Sequence, residues 1–323
     1  MDFNLQNASQ YFSEIKEKWE ILQRTPGIFA YHLNVTRKTY LYGKWNFYAE
    51  LNLERSALRR APQVISSLKP TFDENIFNFK KVGSQERLLD IQFECGLVSV
   101  IINKSPLTEY HTLLCPDVDA NHPQIITSKA INFCATFLLQ LESERLVRIG
   151  YNSPGALASV NHLHLHLLYI EADLYIDKAE LELLSHDYVY RLSKRMPTEA
   201  ICFIICKQDS DATKENKLKQ ISGFLQWLCT SNLPHNIFIT SSREAGGKPD
   251  YIKLFVFARE KHCIMKDVTA FNIGFCELSG YIPLGSEELF QTITEEKVIT
   301  KITKETGEAF SRIYSYFLNI TKS

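Results

Sequence analysis

The sequence predicts an α+β fold, an antiparallel sheet forming a half-barrel with helices packed on it, the theme occurring twice along the chain. Three observations predict it. First, Ser159-Val160-Asn161-His162-Leu163-His164-Leu165-His166-Leu167-Leu168-Tyr169-Ile170 alternates two residue types, the period of a strand with one buried face. Second, three strand-like runs, a long helical run and a glycine-containing loop precede this stretch. Third, strands and a helix follow it in a loose echo, without a second His-x-His.

With 323 residues the chain exceeds one typical domain. Two units packed as one are expected: residues 1–195, with an N-terminal helix, a basic arm and the histidine run, and residues 196–323. A hydrophobic fraction of 45%, with 12% aromatic residues, supplies a sizeable core. The formal net charge of −1 argues against nucleic-acid and polybasic membrane partners. Eight cysteines are scattered singly, mostly in apolar runs such as Ile201-Cys202-Phe203-Ile204-Ile205-Cys206. That pattern fits buried reduced thiols better than disulfides or a structural zinc. Met1-Asp2-Phe3-Asn4 lacks a basic-then-apolar leader, and no apolar run approaches transmembrane length. The expectation is a soluble, cytoplasmic protein.

Taken in order, residues 8–24 form an amphipathic helix with Phe12, Ile15, Trp19 and Leu22 on one stripe, ended by Thr25-Pro26-Gly27. Residues 28–50 alternate and suggest two strands turned near Gly43-Lys44. A basic stretch follows, Arg55, Arg59 and Arg60, closed by Pro62. It is either a solvated connector or an arm carrying guanidinium groups to a phosphate, whose oxygens their forks match. Residues 88–94 and 98–103 make a hairpin about Gly96, and residues 110–116 a third strand containing His111. Ile126, Ala130, Phe133, Phe137 and Leu141 share one face of a helix over residues 123–147. Later strands are expected at 200–205, 236–240, 253–257 and 274–278, a helix at 213–230, and helices in the last forty residues. Lys253 and Arg259 read as surface charges.

On a strand, His162, His164 and His166 share one face while Leu163, Leu165 and Leu167 cover the other. Burial explains the leucines but not three imidazoles in register. Three histidines and a water can hold zinc, but a ligand four residues along, at roughly 3.3 Å rise per residue, lies too far to complete a tetrahedron easily. The metal reading therefore ranks second. The alternative is nucleophilic catalysis at phosphorus by a neutral imidazole whose other nitrogen is held as a donor, with its neighbours binding phosphate oxygens or protonating a leaving oxygen. The preceding loop, with Asn152, Gly155 and Ser159, can offer amides and a hydroxyl to an anion.

Asn152-x-x-Gly155-x-x-x-Ser159 leading into His162-x-His164-x-His166 resembles the histidine-triad superfamily of nucleotide hydrolases and transferases. The resemblance narrows with Leu51-Asn52, Arg55, Arg59-Arg60-x-Pro62, Phe77-Asn78-Phe79-x-Lys81-Val82, Asn103-x-Ser105-Pro106, Gly150-Tyr151-Asn152-Ser153 and Glu277-Leu278-Ser279-Gly280. Together and in this order they are similar to the GDP-hexose phosphorylases, over residues 27–298. That family has animal members acting on GDP-glucose and plant members acting on GDP-L-galactose. The resemblance implies two histidine-triad-like halves, only the first bearing the triad. It implies phosphorolysis of GDP-glucose to glucose 1-phosphate and GDP, with His164 as the nucleophile that takes GMP. His162 would orient it through its main chain and line the pocket. His166, where plant members have Gln, points to the animal type. Ser159 and Asn152 match phosphate-contacting positions, and His111 a position bordering the nucleotide, with core or edge packing as its equal alternative. Two displacements at one phosphorus imply ping-pong kinetics and need neither metal nor cofactor. GDP-glucose and inorganic phosphate are the implied partners, and a homodimer is compatible. The alternatives are a GDP-L-galactose phosphorylase, another nucleotide hydrolase or transferase of the superfamily, or a non-catalytic guanine-nucleotide-binding regulator. Glu277 either binds ribose or caps a turn.

Overall fold

A computed structural model describes residues 5, 7–57, 61–94, 96–141, 144, 146–185, 188–242, 251–267 and 270–320. Helix α1 (Ala8–Gln23) buries Phe12, Ile15 and Trp19, the stripe its periodicity predicts. Two short strands follow, β1 (Arg37–Tyr40) and β2 (Tyr48–Leu51), then a single helical turn, α2 (Glu54–Ala57). The expected alternation from residue 28 becomes a strand only at Arg37.

Strands β3 (Arg87–Phe93), β4 (Gly96–Ile102) and β5 (Thr112–Pro116) form an antiparallel meander. Helix α3 (Ser128–Gln140) leads to β6 (Val147–Asn152) and β7 (Leu165–Tyr169). Then come β8 (Leu181–Leu183), β9 (Val189–Leu192), β10 (Ile201–Cys206), helix α4 (Asp211–Thr230), β11 (His235–Ser242) and β12 (Tyr251–Ala258). All ten join one antiparallel sheet in the order β3-β4-β5-β7-β6-β11-β12-β10-β9-β8.

That order contains a repeat. Three strands, a helix and two strands pair as β3-β4-β5-β7-β6, and the next such set pairs as β8-β9-β10-β12-β11. The units meet through antiparallel β6 and β11. Since β8 and β9 precede residue 196, the second unit starts upstream of the division at 195/196 expected from the sequence. Its turn and helix residues differ from the first unit's, so the repeat is written in topology and not in sequence.

Helices α3 and α4 lie on one face of the sheet, joined by α1 and by α8 (Ala309–Ile320). Between them and the sheet lies the largest core, which holds Leu163, Leu165 and Leu167 beside Phe133, Phe137, Phe203 and Phe224. On the opposite face sit α5 (Phe275–Ser279), β13 (Tyr281–Leu284), α6 (Glu287–Thr292) and α7 (Glu295–Thr306). Strand β13 pairs in parallel with β2, and residues of this layer bury Phe238, Phe255 and Phe257 of the sheet in a second core. No helix among the described residues is long and apolar enough to cross a membrane.

Three expectations need correction. The helix expected over residues 123–147 covers only Ser128–Gln140, with Thr127 Oγ1 capping it by accepting the Ala130 N–H; residues 142, 143 and 145 lie outside the described residues. Pro123 sits in the extended lead-in, and the β-branched run from Val147 pairs between β7 and β11. The strand expected at 274–278 is helix α5, since Glu277 Oε2 accepts the Gly274 N–H at 2.8 Å and closes its first turn. Glu277 therefore caps. Arg259 and Lys253 are buried, not on the surface. Arg259 pairs with Glu305 at 2.9 Å and donates to Ile273 O, while Lys253 Nζ donates to Asp177 O at 2.8 Å. Long apolar stems let both enter the core once the charge is answered.

Candidate active site

Regular pairing of the histidine strand starts only at Leu165, opposite Leu114. Upstream, the extended conformation is held by a side chain. Gln124 Oε1 accepts the His164 N–H at 2.9 Å, and Gln124 Nε2 donates to the carbonyls of His164 (3.1 Å) and Asn152 (3.0 Å). One amide thus stands in for a neighbouring strand. The alternation persists, so the leucines enter the helix-side core and His164 and His166 face a cleft on the other side.

Hydrogen-bond partners assign the imidazole protons. The Phe79 N–H donates to His162 Nδ1 at 3.0 Å, and the His162 ring stacks on Phe79. His164 Nδ1 lies 2.8 Å from the His162 carbonyl. A carbonyl only accepts, so Nδ1 carries the proton and Nε2 keeps its lone pair. The Leu107 N–H donates to His111 Nδ1 at 2.9 Å, which puts the proton of His111 on Nε2, 3.0 Å from His166 Nδ1. His166 is therefore left with its own proton on Nε2. Asn103, whose Oδ1 takes the Ser105 N–H, lays its amide nitrogen 3.1 Å from the same His111 nitrogen and offers it no acceptor.

All four imidazoles are neutral at pH 7. Burial pulls His164 down to about 4 against the support of the His162 carbonyl. Burial, then the charge on His164, pulls His162 to about 4. Burial, then Arg55 and His164, takes His111 to about 3. His166 falls well below its usual range through burial and then through His164, His111 and Lys266.

The cleft holds about 510 Å³ and is lined by both units. Arg55 reaches it and donates from Nη1 to Pro283 O; its Nε is buried without a partner, and no carboxylate among the described residues pairs with it. Ser159 and Asn152 line the cleft as well. Asn152 Oδ1 accepts from Asn236 Nδ2 at 2.6 Å and from the Phe275 N–H at 3.4 Å, which leaves its Nδ2 as the donor available. His111 sits behind His166 and is buried.

Gly155 does not line the cleft. Its φ of +74° is in the left-handed region, its carbonyl accepts the Cys263 N–H at 2.8 Å, and a Cβ there would lie 2.5 Å from the His262 ring. It shapes the loop and docks the 259–265 segment. Arg59 and Arg60 lie outside the described residues.

Four residues that line the cleft or hold its histidine strand carry no sequence signal of their own. Gln124 sits in a stretch taken for helix. Lys266 lines the cleft from a loop that carries no motif, Phe275 from a run taken for strand, and Glu86 from a turn just before β3. The Phe275 ring lies 5.2 Å from His166, over Gly150, which pairs with His166 across the sheet. A Cβ on Gly150 would fall 2.2 Å from that ring, so this glycine is a matter of space. No group of three or more His, Cys, Asp or Glu among the described residues is placed to hold a metal ion.

His162 does not line the cleft; its ring packs on Phe79. An antiparallel sheet that sets His164 and His166 on a cleft, with His164 locked on the His162 carbonyl, defines an enzyme of the histidine-triad, nucleotidyl-transferring class. The comparisons narrow it. The family models described as GDPGP1-like, N-terminal domain and C-terminal domain match residues 11–168 and 188–323. The chain is 33% identical to GDP-D-glucose phosphorylase 1 of Danio rerio, over 87% of this chain and 82% of that protein. With its Xenopus laevis counterpart it shares 30% identity over 90% and 82%. Among solved structures, yeast Ap4A phosphorylase Apa2 in complex with Ap4A superposes with a TM-score of 0.63 at 16% identity, covering 93% of this chain and 97% of that one; this shows a shared fold. The chain belongs to the GDPGP1-like family.

Proposed function

We propose that this chain phosphorolyses GDP-D-glucose to glucose 1-phosphate and GDP through a guanylyl-histidine. The carrying observation is the His164 imidazole, neutral, buried and locked by Nδ1 on the His162 carbonyl at 2.8 Å. Its Nε2 lone pair attacks the α-phosphorus; the N–P bond forms as the bond from phosphorus to the glucose 1-phosphate oxygen breaks. An oxygen of inorganic phosphate then attacks the same phosphorus, the N–P bond breaks, and GDP leaves. Ping-pong kinetics and net retention at phosphorus follow.

The remaining groups carry charge. His166 donates its Nε2–H to a phosphoryl oxygen or the departing sugar phosphate, and His111, as a positioning residue, fixes that tautomer by filling His166 Nδ1. Asn152 Nδ2 and Ser159 bind phosphate oxygens. Arg55, with no carboxylate partner among the described residues, meets the acceptor phosphate. Family relatives bearing the name GDP-D-glucose phosphorylase 1 support the choice of sugar nucleotide. Buried thiols such as those of Cys115, Cys134, Cys202 and Cys276 support a reducing compartment, the cytoplasm; Cys95 lies outside the described residues.

Incubation with GDP-glucose, GDP-mannose and GDP-L-galactose, with and without phosphate, tests the reading. Phosphate-dependent release of glucose 1-phosphate, fastest from GDP-glucose, is expected. Fast hydrolysis to GMP that ignores phosphate would refute it.

A further inference from the structure

The proposed reaction leaves open what selects guanine. One side of the cleft is an apolar shelf, where Phe79, Ile101, Leu113 and Val160 share a small core with Phe77 and Val82 packed against it. The shelf adjoins the nucleophile, since the Phe79 and His164 rings lie 5.0 Å apart. At its rim the chain brings two charges together. The pairing of Arg87 with Ile101 across β3 and β4 sets Glu86 beside the end of β4, and Lys104 follows that end. Lys104 Nζ lies 3.3 Å from Glu86 Oε1, and both residues line the cleft.

Glu86 is only 9% exposed, yet no described residue donates a hydrogen bond to its Oε2. That oxygen is an open acceptor at the rim of the cleft, placed where a donor on a bound ligand can meet it. The base edges differ in what they offer. Guanine places N1–H and an N2 amino group side by side, with O6 as an acceptor next to them. Adenine sets an acceptor, N1, where guanine has a donor, and hypoxanthine lacks the N2 amino group.

We propose that Glu86 and Lys104 read the guanine edge: the carboxylate accepts from N1–H and N2, the ammonium donates to O6, and the base lies on the Phe79–Ile101 shelf. This rests on the guanylyl-transfer reading of the cleft. The pair favours guanine twice, because the carboxylate repels N1 of adenine and finds only one donor on hypoxanthine. A site built to bond a particular N–H rejects the ligand that lacks it more strongly than a shape-matched apolar site can.

Calorimetric binding of GMP, IMP and AMP to the full chain tests it without turnover. Wild type is expected to prefer GMP over IMP by about 10-fold and over AMP by about 100-fold. In Glu86→Gln the GMP-to-IMP preference should collapse to within about 3-fold, chiefly by weaker GMP binding. Lys104→Met, at a side chain less buried than that of Glu86, should weaken GMP and IMP together by about 10-fold and leave AMP unchanged. It keeps the test usable if the first variant folds poorly. Wild type that does not discriminate GMP from IMP, or unchanged preferences in both variants, overturns the proposal. Selective GMP binding by a chain that cannot phosphorolyse GDP-glucose would overturn the activity alone; turnover with unaltered nucleotide preferences in the variants would overturn the guanine reading alone.

Discussion

The two five-stranded units share a strand order but use the face away from the helices differently. In the first unit, the run into β7 turns His164 and His166 to the cleft on that face, with His162 packed on Phe79, and Leu163, Leu165 and Leu167 to the helix-side core. In the second, β12 holds the corresponding place in the strand order. It turns Ile252, Leu254 and Val256 to the helix-side core and Phe255 and Phe257 to the second core under α5, β13 and α7. One scaffold leaves its face open as a cleft, and the other packs it shut. The packed unit then contributes α5, which walls the open one with Phe275 against His166. Chemistry sits where the sheet face is uncovered, and the covered copy supplies rigidity.

The comparison is tightest at two histidines. His164 and His235 are both buried, both hold Nδ1 toward the carbonyl two residues earlier, at 2.8 and 3.2 Å, and burial pulls both to about 4. Only His164 lines the cleft. His164→Ala should cut turnover by at least about 10⁴-fold. His235→Ala should leave turnover per folded molecule within a few-fold. Equal losses in both, measured as kcat on protein of matched folded fraction, would break the distinction.

Arg55→Ala tests the wall between the units. It should raise the KM for phosphate by about 10- to 100-fold while guanylylation of His164 by GDP-glucose stays within a few-fold. Steady-state and single-turnover assays separate the two steps. Next comes Gly150→Ala, where the new Cβ pushes the Phe275 ring off His166. A drop in kcat of about 10-fold is expected, rescued in part by Phe275→Leu in the same chain.

The smallest effects are in pH. The neutral nucleophile should lose activity in acid only as pH falls toward about 4, not near 6.5. Stability follows the same shifts. Unfolded imidazoles bind protons near 6.5, whereas folded His162, His164 and His235 do so near 4. Between those values the unfolded state holds more protons, so stability is complete above about 6.5 and declines as pH falls toward 4. Each group contributes up to about 1.4 kcal/mol per pH unit in that window. Thermal midpoints that stay flat from pH 7 to pH 4.5 would contradict the burial of these rings.

The histidine run was legible because period-two alternation is a local property. Its register against the helix-side core matches the reading of the leucines as buried. Arg55, Asn152 and Ser159 were legible as polar groups, and the structure brings all three to the cleft; Gly155, expected beside them, shapes the loop instead. Gln124 was not, because a glutamine that mimics a strand neighbour has the same local sequence as one on a helix. Gly274–Leu278 read as a strand because four apolar or capping residues in a row carry no period, and only the Glu277–Gly274 contact decides. Arg259 read as surface because Glu305, its partner, is 46 residues away. What stayed hidden in each case depends on long-range pairing.

The central claim is that His164 becomes covalently guanylylated, and intact mass measurement after mixing with GDP-glucose in the absence of phosphate tests it most directly. Wild type should gain one guanylyl-sized increment, mapped to His164, and lose it on adding phosphate with release of GDP. His164→Ala should gain none. An increment that persists in His164→Ala, or phosphorolysis by wild type with no increment on any residue, would contradict the account.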